Sequence, residues 1–248
     1  MARSHAARFE QVLDRIEVAA VVDIERDKAQ AVADLIEGDV LVETDYRQIF
    51  DHIDAALVVL PHHLHHPATL DCLRAGKHVL CEKPMANSES ECVDMIAEAE
   101  YQGRVLMVAY CMRFHPLVAK MKELIDAKAY GEVFQLSIWT EQLTHPPEGH
   151  WARTAATVGG GQFFSHGCHY IDILLWMLGR PVRGSHYGTN LCTPWMEKEG
   201  TSNATIEFES GALGYHFGTW GAKGTRLGYA FHAHCEEGML ELALGPGS

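Results

Sequence analysis

Residues 53–86, IDAALVVLPHHLHHPATLDCLRAGKHVLCEKPMA, constrain the fold more than any other stretch of the chain. Residues 55–60 are a short apolar run around Val58 and Val59, stopped by Pro61 and four histidines, which suits a strand buried on both faces. Pro67 fits a first helical position, Leu70 and Leu73 share a face, and Gly76 stands where a left-handed cap is wanted, so a helix is expected over 67–75. Residues 77–81 read as a second buried strand. A strand-helix-strand unit this compact is expected to be parallel and right-handed. Both following loops, 62–65 and 82–84, then open on the carboxyl edge of the sheet, where open parallel sheets bind ligands.

At these residues the chain resembles the Gfo/Idh/MocA family of NAD(P)-dependent dehydrogenases and reductases of sugars, polyols and related compounds. The likeness is carried by Pro61, His65, the run from Ala75 and Gly76 to His78, and the tripeptide Glu82-Lys83-Pro84, in this order after this strand. The resemblance implies a catalytic Lys83, with Pro61, His62, His65, Glu82 and Lys83 on the cofactor. The competing reading of Lys83 is an ordinary lysine in a strand-ending turn. The Lys83-Pro84 bond is a candidate for the cis form.

Composition narrows the function classes. With 248 residues, 47% of them hydrophobic, the chain is long enough for one large domain or two ordinary ones. A formal net charge of −13 repels phosphate backbones, so nucleic-acid binding is not expected. The seven cysteines (72, 81, 92, 111, 168, 192 and 235) form no C-x-x-C pair, which points to a reducing cytoplasm rather than a disulfide or zinc scaffold. No signal-peptide pattern opens the chain and no run reaches the ~20 apolar residues of a membrane span, so no membrane partner is expected.

Earlier in the chain, residues 4–13 carry a helical face and residues 17–22 a strand ending in Asp23. In a dinucleotide-binding fold such a carboxylate accepts hydrogen bonds from the adenosine ribose. Apolar Ile24 beside it favours NAD, while Arg26 leaves NADP open. The alternative is that Asp23 merely ends a strand or starts a turn. The glycine-rich phosphate turn expected before it does not occur, since Met1-Ala2-Arg3 looks only like its tail. The chain is therefore expected to be N-terminally truncated, lacking the first strand and G-x-G. A capped helix after Asp27 to Ile36, a short strand at 40–42, a helix at 46–51, a capping box at Ser88 and Glu91 and a strand at 105–109 complete an alternating β/α pattern.

From Glu132 the pattern changes to strand-like runs at 132–143, 183–191, 201–209, 212–220, 229–234 and 239–242, with one inserted helix at 166–178. The expected fold is therefore α/β plus α+β. A doubly wound parallel Rossmann-like sheet over 1–112 precedes a mostly antiparallel, open-faced sheet over 113–248, incomplete at its C-terminal end. The first domain should bind the dinucleotide. The second should bind substrate and mediate homo-oligomerisation.

His166, His169 and Asp172 are spaced to share a helix face after the triple glycine 159–161. The text GGGQFFSHGCHYIDILLWMLGRP resembles the family's GGG, G-x-H-x-x-D and W-x-x-G segments, which implies His169 as the catalytic histidine and Asp172 as its partner on substrate. Histidine suits a proton acceptor near neutrality. Ser165 stands where many members carry aspartate, so His166 is a candidate substitute. Arg113, Trp151 and Arg153 are the remaining substrate candidates, the last two through the family's W-R element. A metal site from His166, His169 and Asp172 or from the 62–66 histidines, and plain buried polar contacts, are the competing readings. The expected function is hydride transfer between NAD(P) and a sugar-like hydroxy compound. An NAD-assisted glycoside hydrolase, suggested by Ser165-His166-Gly167, and a non-catalytic binding remnant are the alternatives.

Overall fold

A computed structural model describes residues 1–226 and 228–245. The described residues form two compact units, one of residues 1–60 and 64–109, the other of residues 61–63 and the described residues from 110 onward. The division after Ala109 falls slightly before the expected boundary at 112, and residues 61–63 group with the second unit.

In the first unit, α1 (Ala2–Phe9), β1 (Ala20–Val22), α2 (Arg26–Ala33), β2 (Leu41–Glu43), β3 (Ala55–Val58), α3 (His65–Arg74), β4 (His78–Cys81), α4 (Glu89–Gln102) and β5 (Leu106–Val108) alternate as a Rossmann-type domain. All strand pairs are parallel, but the backbone ladders form two sheets, β1-β2 and β3-β4-β5. β1 and β3 therefore each keep one unpaired edge among the described residues. The free edge explains why Ala55 is exposed and Ala56 and Leu57 half-buried, where burial on both faces was expected.

Local chemistry accounts for the helix ends. Ser88 and Glu91 form the reciprocal capping box, and Gly103, in the left-handed conformation at φ 60°, stops α4. The helix α3 starts at His65, two residues ahead of the position read from Pro67, because the chain already turns as a short 3-10 segment at His62–Leu64. α2 starts at Arg26 with Glu25 at its cap position, not at Asp27. The main core of this unit joins Leu70 and Leu73 of α3, Val79 and Cys81 of β4, and Met95 and Ala99 of α4. A separate, smaller cluster of Ala29, Ala33 and Val42 lies between α2 and β2.

The second unit contains α5 (Pro116–Asp126), β6 (Val133–Glu141), α6 (Ala155–Val158), α7 (Cys168–Leu178), β7 (Pro181–Thr189), β8 (Thr201–Phe208), β9 (Leu213–Thr219), β10 (Tyr229–Cys235) and β11 (Gly238–Leu244). Its six strands run in the order β11-β10-β6-β9-β8-β7. All neighbours are antiparallel except β6 and β9, which pair parallel. One face packs on α5 and α7 through Val118, Met121, Ile173, Leu174, Ile138 and Phe231. The other face is open and carries Trp139, with Tyr215 at 5.8 Å and His232 at 4.9 Å between ring centroids. The edge strand β7 is exposed along its whole length. Among the described residues no helix is long and apolar enough to cross a membrane.

Candidate functional site in each unit

In the first unit the functional text gathers at the carboxyl ends of the strands. Glu82 follows β4 and is buried; one oxygen meets His5 Nε2 of α1 at 2.8 Å, and the other accepts the Lys83 backbone N–H at 3.1 Å. Burial opposes ionisation of this carboxyl, but the bonds from His5 and Lys83 outweigh it and hold its pKa below the usual range. Lys83 is half-buried and its bond to Pro84 is cis.

His65 sits deeper than a cofactor-lining loop residue. It is fully buried on α3, with Nδ1 2.7 Å from the Pro84 carbonyl and Nε2 2.8 Å from the Leu60 carbonyl. Desolvation pushes its pKa down despite those carbonyls. The ring thus ties the exit of β3 to the turn after β4. Asp23, at the end of β1, accepts the Glu25 N–H at 2.9 Å and so starts a turn, while remaining half-exposed. Asp23, Glu82 and Lys83 thus all stand just past the carboxyl ends of parallel strands. The 248 residues contain no G-x-G-x-x-G turn to cradle a pyrophosphate.

In the second unit, Pro61 leads into His62, which is buried, lies 2.9 Å by Nδ1 from the Val158 carbonyl, and meets Trp151 edge-on at 4.6 Å. His63 similarly approaches the Thr157 carbonyl at 3.3 Å. The histidines after β3 thus diverge, and among the described residues no group of three His, Cys, Asp or Glu side chains could hold a metal ion. Arg153 donates from Nε to the Trp195 carbonyl at 3.2 Å.

Arg113 and Asp172 do not stand apart as two substrate ligands. They bind each other through two 2.6 Å bonds, and the guanidinium lies over the Trp176 ring at 5.4 Å. The bonds to Asp172 raise the pKa of Arg113. His169, buried on α7, faces the Tyr110 ring edge-on at 6.0 Å.

The expected helix from 166 to 178 is two structures: a π-helical turn, Phe163–Gly167, followed by α7. The wide turn displaces His166 from regular α spacing, leaving its ring 6.1 Å from His169 and steeply inclined to it. The triple glycine has a steric reason at Gly161, where a Cβ would stand 2.1 Å from the Glu199 carbonyl oxygen. Sequence reasoning missed Gln142 and Gln162, which flank His166, and Thr140 and His216, which continue the row beyond Gln162; polar residues scattered over strands and a turn carry no spacing signal.

Residues 1–110 match the family model described as an oxidoreductase family with an NAD-binding Rossmann fold, and residues 118–241 match the GFO/IDH/MocA C-terminal domain. The chain belongs to the Gfo/Idh/MocA oxidoreductase family. It is 30% identical to inositol 2-dehydrogenase 2 of Saccharopolyspora erythraea over 185 residues, which cover 73% of this chain and 52% of that protein. It is 33% identical to a 1-carboxy-3-chloro-3,4-dihydroxycyclohexa-1,5-diene dehydrogenase of Comamonas testosteroni, covering 75% of this chain and 45% of the relative. The chain therefore spans about half the length of these curated relatives. The WlbA dehydrogenase from Bordetella pertussis, solved with NADH and UDP-GlcNAcA, shares the fold at TM-score 0.87 and 23% identity, over 97% of this chain and 70% of that one. Levoglucosan dehydrogenase, solved with NADH and levoglucosan, matches at TM-score 0.87 and 22% identity, over 98% and 69%.

Proposed function

We propose that this chain is an NAD-dependent dehydrogenase or reductase that moves a hydride between the cofactor and a secondary alcohol of a sugar, polyol or related compound. The observation that carries this reading is the place of Lys83, directly after β4 at the carboxyl edge of a parallel sheet, in a chain of an NAD-binding oxidoreductase family. Asp23 holds the adenosine ribose, and the loops after β3 and β4 hold the nicotinamide half. NADP is the second choice, through Arg26. The bound cofactor supplies the hydride acceptor or donor.

The protein supplies the proton chemistry. Lys83 of the first unit and His169 of the second are each suited to take up or return a hydroxyl proton. Arg113, held in one orientation by Asp172, donates to substrate oxygens, and Trp151 and Arg153 complete the polyol subsite. The open face of the six-stranded sheet, around Trp139, Tyr215 and exposed Leu213, is the surface for a second copy. The seven cysteines without a C-x-x-C pair support a reducing, cytoplasmic setting.

Incubation with NAD and a panel of inositol, D-xylose and levoglucosan tests the assignment by NADH absorbance. Reduction of the cofactor with any of them supports it. Absence of both NAD binding and turnover sinks it, and release of aryl groups from aryl glycosides without net NADH would assign hydrolysis instead.

A further inference from the structure

The turn that carries Lys83 is supported from three directions, all within the first unit. Glu82 extends the parallel ladder past β4 by donating its backbone N–H to the Val58 carbonyl at 2.9 Å. His65 of α3 lies 2.8 Å from the Leu60 carbonyl and 2.7 Å from the Pro84 carbonyl, so Pro84 is tied to the exit of β3. Lys83 lies between these supports, and its N–H donates to Glu82 Oε2 at 3.1 Å. The orientation of the Glu82 carboxylate therefore sets where that N–H points. The other carboxylate oxygen, Oε1, lies 2.8 Å from His5 Nε2, on a helix 77 positions earlier in the chain.

The pair is directional. Burial pushes the Glu82 carboxyl up, and the bond from His5 is the strongest of the opposing effects that leave it below the usual carboxylate range; the Lys83 N–H and the charges of Lys83 and His5 act the same way. His65 of α3 is also within electrostatic reach of Glu82. An ionised carboxylate can only accept, so His5 Nε2 donates whichever charge the ring carries. Charge-assisted bonds of this kind are about twice as strong as neutral ones. Buried Ala6 seats α1, while the neighbouring His5 side chain stays partly accessible. Neither His5 nor Glu82 belongs to the hydrophobic cluster that joins α3, β4 and α4, so the pair can be broken without opening that core.

We propose that His5 is a positioning residue: through Glu82 it fixes the backbone of Lys83 and so sets where the lysine side chain departs from the turn. The bracing of the turn is a property of the first unit alone. Its importance for turnover rests on the dehydrogenase reading above.

NMR of the full chain without cofactor or substrate tests the brace independently of turnover. Carbon-13 spectra of glutamate-labelled protein follow the Glu82 carboxyl, assigned with Glu82→Gln, and nitrogen-15 spectra follow the Lys83 amide. In His5→Leu the carboxyl should titrate at higher pH than in wild type, and the Lys83 amide signal should shift. His5→Asn, whose amide ends short of the Nε2 position, should behave alike and carries the test if the leucine variant folds poorly. His5→Gln, whose N–H₂ can take the place of Nε2–H, should return both signals toward wild type. With NAD and a substrate from the panel above, kcat should fall roughly 10- to 100-fold in the leucine and asparagine variants, with KM changed less, and recover in His5→Gln. Glu82 and Lys83 signals that keep their wild-type positions in both His5→Leu and His5→Asn overturn the proposal, as does an unchanged kcat in variants whose signals move. Moved signals with no turnover in any of the proteins, wild type included, support the brace and overturn the function assigned above instead.

Discussion

The guanidinium of Arg113 grips the carboxylate of Asp172 with two bonds of 2.6 Å, joining the short turn before α5 to the middle of α7. Two residues that the sequence offered as separate substrate ligands are a single device. Asp172 is nearly buried while Arg113 keeps 39% of its side chain accessible, so one member anchors and the other faces outward. Asp172→Asn should cost about 1 kcal/mol of stability, the value of a charge-assisted pair discounted for that exposure. It should also raise KM for substrate more than it lowers kcat. Urea unfolding and steady-state kinetics check both, and an unchanged midpoint with unchanged KM would separate the pair from both roles.

Lys83→Ala and His169→Ala should each lower kcat by roughly 10²–10⁴, the usual contribution of a positioned acid or base, while NAD affinity changes little in His169→Ala. Parallel titration calorimetry and turnover distinguish lost chemistry from lost binding. Wild-type turnover in both variants would remove these residues from the mechanism.

Stability should fall on mild acidification. Burial, assisted by nearby His186, pushes the His216 pKa from 6.5 down to about 4. The unfolded chain therefore takes a proton in the window between those values while the folded chain does not, and stability is complete above it and lost as pH drops through it. His65, also pushed down by burial, acts in the same direction. The His216 contribution approaches roughly 3 kcal/mol at the lower limit. Unfolding midpoints at pH 7 and pH 5 should differ, and less so in His216→Gln; an identical pH response in that variant would disprove the assignment.

Gly161→Ala should destabilise the second unit by about 1–3 kcal/mol, because the new methyl would meet the Glu199 carbonyl and the backbone must shift. Gly149→Ala provides the comparison: no atom crowds its Cβ position, yet its φ of 75° is left-handed, so its cost is conformational rather than steric. Thermal unfolding of the two variants, with the signal of His166 in the π turn followed by NMR, separates the causes. A perturbation at His166 is expected only for Gly161→Ala.

Periodicity and punctuation made the scaffold legible. The strand-helix-strand run, with its ends shifted by a few residues, the Ser88/Glu91 capping box and the change to closely spaced strands after Glu132 all appear, because each depends on neighbours a few residues away. Local text also singled out Lys83, His169 and Asp172 as candidates. It could not show that His65 is consumed by two carbonyls, that Asp172 is consumed by Arg113, or that a π turn breaks the helix at His166. Those outcomes depend on partners distant in sequence, such as Arg113 and Asp172, 59 positions apart. The parallel β6-β9 pair was hidden for the same reason: strand patterns reveal faces but not pairing direction.

The separation of the parallel ladders bears on cooperativity. Hydrogen bonds join β1 to β2 and β3 to β4 and β5, and the β1-α2-β2 piece rests on a small cluster of buried Ala29, Ala33 and Val42 with partly buried Val21 and Val40. Such a piece forms its own unfolding subunit, and its amides should exchange with solvent sooner than those of β4. Asp23 rides on it. A ribose bound there would have to organise its own support, so part of the intrinsic cofactor affinity is spent on local ordering, and protection from exchange in β1 and β2 becomes a direct gauge of occupancy.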